Sequence, residues 1–425
     1  MKSICFKISY LFLLVLISIK SYAQKEKHKI KLFDDDIVHK IEITINHENY
    51  NKKLSSYKTN RATENKYFLA NIIIDSTEIN NIGIRYKGES SFDFVTTLKK
   101  SFKIDFNAFV LGKKYQGYSK INLNNNFKDP TQIREKLFLD LLKKLNQPYQ
   151  KNAFAAVYVN SDYIGLYLMT EDINKKFLKR NFDQNNGTFI KGSPKADLNI
   201  FTDTEKSYKE YYSLENKINK KKHWKKLISF IKKINKGDKD YYSKIEPILN
   251  IENTITQWAL NNCIANTDSF NMGHAHNFYL YFGKKIEWIS YDGNYSFGAF
   301  EKGFNLTNFI EADLYSTKIA PQNPVLVHFF INDKTIREKY KQIIDSKIIP
   351  ILESQKFLSS IEKYKNLISN YVKTEKYGFY SYDDFLLSYN NNIGDINDPG
   401  AFSPGLTTFI KQRVEYIKYK TKDFN

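Results

Sequence analysis

The sequence predicts an α+β fold in two lobes, and three observations predict it. Alternating apolar residues crowd the first third of the chain, helical patterns dominate its second half, and a β hairpin stands between them. No internal repeat, low-complexity linker or sharp boundary divides residues 30–425. With 42% hydrophobic and 16% aromatic residues there is material for a large core, which excludes a disordered chain.

The elements follow in order. Residues 1–23 read as an export signal, with Lys2 and Lys7 ahead of the apolar run Tyr10 to Ile19 and a cleavage site at Ser21-Tyr22-Ala23. That run falls far short of the ~20 apolar residues a membrane-spanning helix needs. The expectation is therefore a protein at the cell surface, in the periplasm or in the medium, with no membrane span. Residues 24–35 read as a short linker and 36–420 as one domain. Cys5 leaves with the signal, so Cys263 has no disulfide partner and reads as a buried apolar residue.

Strands are expected at Ile41 to Ile45, Tyr67 to Ile74, Ile82 to Tyr86 and Lys100 to Phe106. In the last of these Phe102, Ile104 and Phe106 face one way, and Ser101, Lys103 and Asp105 the other. Asp129-Pro130-Thr131 opens a helix whose stripe is Ile133, Leu137, Leu141 and Leu145. Strands Phe154 to Val159 and Gly165 to Thr170 flank the turn Asn160-Ser161-Asp162. Residues 172–182 read as helix, Thr188 to Lys191 as strand, and Pro194 to Glu210 as a polar loop. Helices follow at Trp224 to Ile234 and Ile251 to Ala265, then the hairpin Asn277 to Phe282 with Lys285 to Tyr291. Val325 to Tyr371 is mostly helical, and Thr407 to Lys418 is the last helix.

The formal net charge of +19 reads as lysine spread thinly over solvated faces. Such a surface favours anionic partners: nucleotides, phosphorylated polymers or acidic proteins. Nucleic acid is not expected, because no helix-turn-helix, zinc-finger or RNA-recognition signature is present.

Three clusters carry chemistry. Gly83 to Ser90 approaches a P-loop, but Glu89 stands where its lysine belongs and no following helix is expected, so a P-loop is rejected. What remains is a strand with Arg85 and Lys87 on one face and a turn at Gly88 to Ser91, which is either a phosphate cradle or a solvated hairpin. Lys103 in mid-strand and Glu171 at a strand end could together position nucleotide phosphates; exposed strand lysines are also common. Asp268 ends a long apolar helix, and Asn277, Asp292 and Asn294 bracket the hairpin that follows. This order can bring two carboxylates to one hairpin end, with hard oxygen ligands suited to Mg²⁺ or Mn²⁺. Capping and turn chemistry is the competing account. His274 and His276 have no third His or Cys nearby and read as part of a polar turn.

Taken together, Ile82 to Ser91, Lys99 to Phe106, Asn122 to Leu137, Tyr158 to Glu171, Asn266 to Gly298 and Leu406 to Tyr416 resemble the CotH kinases in order and spacing. The resemblance covers roughly residues 36–420. It implies an atypical protein-kinase-like fold that transfers the γ-phosphoryl group of ATP to protein hydroxyls, typically serine, with a divalent metal. It further implies Lys103 as the phosphate lysine, Glu171 near the nucleotide, Asp268 as the catalytic aspartate and Asp292 as the metal ligand. Asn277 and Asn294 complete the polar shell, Asn294 standing where the family more often has Asp. Two other functions fit a secreted chain of this kind: an adhesion protein that keeps the fold without turnover, or a phosphotransferase acting on a surface polymer.

Overall fold

The computed structural model describes residues 30–422, apart from 203, 217, 238–239, 300, 302, 319–322 and 396–401. The export signal and the first half of the linker expected before residue 36 lie outside the described residues.

Strands come early and helices late, as the pattern predicts. The early strands, however, close on themselves. β1 (Val38–Thr44), β2 (Phe68–Ile74), β3 (Thr77–Tyr86), β4 (Phe102–Asp105), β5 (Lys120–Asn124), β6 (Asn152–Val159) and β7 (Asp162–Glu171) form a closed barrel in the order β1-β2-β3-β4-β5-β7-β6. All neighbours are antiparallel except β1 and β6, whose parallel pairing from Val38↔Phe154 to Ile43↔Val159 closes the ring. Closure leaves no open edge. The strand alternation fills the interior: Ile41, Ile43, Ile72, Ile82, Ile84, Phe102, Ile104, Ile121, Ala155 and Met169 are buried in one cluster. The turn Asn160-Ser161 has φ of 49° and 69°. Two successive left-handed residues are what a tight hairpin between twisted strands requires.

β5 and helix α1 (Tyr50–Thr59) are not apparent from sequence pattern. β5 (KINLN) does alternate, Ile121 and Leu123 against Lys120, Asn122 and Asn124, but it is only five residues long and rich in Asn, a residue depleted in strands, so the pattern is weak.

After the barrel, α2 (Arg134–Lys144) packs its stripe into the main core, with Ile133, Leu137 and Leu141 buried. Asp129 organises its start by accepting from the Arg134 and Thr131 amides. A second sheet has the order β11-β10-β8-β9, built from β8 (Thr188–Gly192), β9 (Tyr212–Leu214), β10 (Phe278–Phe282) and β11 (Ile286–Ser290). β9 lies just beyond the stretch expected to be loop. Helices α3 (Lys220–Ile234), α4 (Ile251–Cys263), α5 (Gln355–Lys373) and α6 (Leu406–Lys422) enclose the remaining core. Among the described residues, no helix is long and apolar enough to cross a membrane. Cys263 is buried, and burial pushes its thiol up to about 12, so it stays protonated and inert.

Candidate functional site

A polar cleft of about 520 Å³ lies between the outer face of the barrel and the strand ends of the second sheet. One wall is a row across four barrel strands. Register sets Arg85 opposite Lys103, Lys103 opposite Asn122, and Asn122 opposite Thr170. All four line the cleft, because the alternate positions Ile84, Ile104 and Ile121 take the barrel interior. Thr170 Oγ1 is buried in this wall without a hydrogen-bond partner.

Lys103 pairs at 2.6 Å with Asp172. Burial works to raise the Asp172 carboxyl, but Lys103, helped by Lys120 and Asn174, holds it below its ordinary value. Arg85 is anchored to the carbonyls of Glu64 and Tyr86 and lies 5.6 Å from the Tyr67 ring centre. Beyond it, Lys87 donates to Asn124 at 2.6 Å, and Asn124 donates in turn to both oxygens of Glu135 at 2.8 and 2.9 Å. Gly88 turns the chain with φ +86°, and a single helical turn, Ser90–Asp93, follows where none was expected.

The opposite wall carries the acids. Asp268 follows α4; its Oδ1 lies 3.1 Å from His276 Nε2, and its Oδ2 accepts from the Asn277 amide at 3.0 Å. Asn277 and Asp292 stand at one end of the β10–β11 hairpin, both left-handed, with φ of 61° and 62°. Asn and Asp tolerate this backbone better than most residues. Gly293 leaves room for α2: a Cβ there would sit 2.2 Å from the Phe138 ring. Arg134, fully buried, donates to the carbonyls of Ser296 and Phe297 at 3.0 and 2.7 Å, fixing the chain just past Asn294. Arg413 of the final helix does the same for the end of α4, donating to the carbonyls of Asn262 and Cys263.

Electrostatics join the two walls. Burial raises the Asp292 carboxyl and Asp268 raises it further, against the pull of Lys87. Burial and then Asp292 push Glu135 up to about 7. Burial lowers the Lys87 ammonium, opposed by Asp292 and Glu135. These are carboxylates short of counter-charge, gathered around one partly desolvated lysine.

The family follows from a comparison made along the chain. The model of CotH kinase proteins matches residues 84–417. The chain belongs to the CotH kinase protein family. A curated relative, inner spore coat protein H of Bacillus subtilis (strain 168), is 24% identical over 325 residues, covering 73% of this chain and 85% of the relative. The CotH match begins inside β3, so β1 and β2, which close the barrel, precede it.

Of the residues singled out from sequence, the cleft gathers Arg85, Lys87, Lys103, Asp268, Asn277, Asp292 and Asn294. It does not include Glu171. That side chain lies at the end of the barrel interior, where its Oε2 accepts from Arg180 at 2.6 Å and from the Lys151 amide. The reason is strand parity: Glu171 pairs with Ile121, whose side faces inward, so the next residue, Asp172, reaches Lys103 instead. Sequence reasoning also missed Glu135. Its position one residue into α2 on a stretch that already matched the CotH pattern was the available signal.

Proposed function

We propose that this CotH-family chain is a secreted atypical protein kinase that transfers the γ-phosphoryl group of ATP to serine or another hydroxyl of a protein acceptor. The observation that carries this is a wall of cations, Arg85, Lys87 and Lys103, facing Asp268 and Asp292 across one cleft. Phosphoryl transfer needs positioning and charge neutralisation more than covalent participation. In this reading Lys103, fixed by Asp172, holds the nucleotide phosphates, and the Gly88 turn with Lys87 covers them. Asp268, oriented by Asn277 and His276, accepts the proton of the acceptor hydroxyl.

Mg²⁺ or Mn²⁺ fits the donor set. Asp292 is a carboxylate whose charge is disfavoured by burial and by Asp268, which is the environment a cation relieves. Asn277 donates its amide nitrogen to Asp268, leaving its oxygen as a hard ligand beside Asn294. When bound, such a cation neutralises charge on the phosphate oxygens.

The test is autophosphorylation of residues 24–425 with γ-labelled ATP and either metal, beside Asp292→Asn. Label on the wild type alone supports the kinase. Absence of label, together with no nucleotide-induced rise in Tm, favours the adhesion protein.

A further inference from the structure

On the far side of the second sheet from the cleft, α3 and the β10–β11 turn enclose an open groove of about 720 Å³. α3 presents Lys221, Lys222, Lys225, Lys226 and Lys233 to it, at spacings that place them along one helix side. The other side of α3 is core, with Trp224, Leu227, Ile228 and Ile231 buried. Lys284 and Lys285 close the groove from the hairpin turn; Lys285 is paired with Glu246 at its edge, and the α3 lysines carry the groove's unbalanced charge. Its floor is apolar: Pro247 and Ile248 over Phe230, Phe282 and Ile286. The positive charge of this chain is thus not spread evenly; a concentrated share of it rims one apolar trough.

We infer that this groove is a docking site for an acidic peptide segment of the acceptor protein, one carrying large apolar residues among its Asp and Glu. The inference rests on the kinase reading for the word acceptor, but the binding itself does not. Charge complementarity selects a polyanion. The concave apolar floor then selects a peptide with hydrophobic side chains over a phosphate polymer, which has nothing to bury there. A single-stranded nucleic acid would stack its bases on exposed aromatic faces, and Phe230 and Phe282 are both buried; a duplex, held through its phosphates, has no side chains to seat on the apolar floor.

The groove is joined to the cleft by one strand. Asn277 at the start of β10 lines the cleft, and Phe282 at its end lines the groove. At ~3.3 Å per residue the two are roughly 17 Å apart along the strand. An extended acceptor spans that with about five residues, so the docked acidic segment and the modified hydroxyl are separated by at least that much chain.

The experiment uses fluorescence anisotropy with a labelled Glu/Leu peptide, without ATP or metal. It compares wild type, Asp292→Asn, and the combined Lys222→Glu, Lys225→Glu, Lys226→Glu variant. All three lysines are exposed, and an unchanged Tm verifies that the reversal folds. Equal binding by wild type and Asp292→Asn is expected, with at least about tenfold loss in the reversal variant and weakening as salt rises. Replacing Leu by Ser in the peptide should also weaken binding. Equal affinity for the reversal variant, indifference to the Leu replacement, or preference for polyphosphate or anionic vesicles over the peptide would each overturn the assignment. Because no nucleotide is present, failure here leaves the kinase test untouched, and failure of autophosphorylation leaves this binding measurable.

Discussion

The two walls of the cleft are built by different means. On the barrel wall, Arg85, Lys103, Asn122 and Thr170 occupy ordinary outward positions of regular strands, aligned by register. On the hairpin wall, Asn277 and Asp292 stand just outside the strands, in left-handed backbone, backed by the Gly293 contact with Phe138 and the Arg134 tether. The first wall needs no special backbone, since any alternating strand has an outer face. The second stores conformational cost, of order 1–3 kcal/mol per strained residue, that the surrounding packing must hold in place. Strain of this kind tends to sit where the chemistry needs a side chain aimed away from its neighbours.

The contrast between the walls is tested hardest at Asp292. Asp292→Asn keeps a residue that tolerates φ of 62° but removes the charge. Autophosphorylation should fall by about a thousandfold or more with little change in Tm, whereas Asp292→Ala should lose both activity and stability. If the two variants behave alike in thermal melts, the hairpin wall is less strained than its backbone angles indicate.

Next comes Gly293→Ala. A methyl group 2.2 Å from the Phe138 ring must displace α2 or the loop, costing about 1–3 kcal/mol. Chemical denaturation should show that loss, with activity falling as the loop moves.

Parity on the barrel wall supplies a third test. Asp172→Asn unpairs Lys103 and should raise the KM for ATP about tenfold, ~1.4 kcal/mol. Glu171→Gln, one residue away and inside the barrel, should lower stability by about 1–2 kcal/mol and leave that KM unchanged. The opposite pattern would return Glu171 to the nucleotide.

The smallest effect is pH-dependent. Glu135 is pushed up to about 7 from an ordinary 4.5. Between those values the folded protein binds more protons at this site than the unfolded chain. Its contribution therefore falls as pH rises through that window. Glu135→Gln should raise Tm at pH 8 and change it little at pH 4, read by calorimetry at both.

The features legible in the sequence are local ones. The alternation of Phe102, Ile104 and Phe106 against Ser101, Lys103 and Asp105 assigned Lys103 to an outer face, because side-chain direction along a strand has a fixed period. The order Asp268, hairpin, Asp292 placed two acids near one hairpin, because a two-strand turn returns the chain to its start. The apolar stripe of α2 and the turn at Asn160-Ser161 were legible for the same reason. Three further features came only from the packing of distant segments. The barrel closed, since the pairing of β1 with β6 joins residues over a hundred positions apart and no local period encodes that. Lys103 went to Asp172 rather than Glu171, since the choice depends on the register of β5 against β7. Glu135 and Lys87 came to lie beside Asp292, since buried charges interact through space and their coupling is set by the packing that removes water from between them.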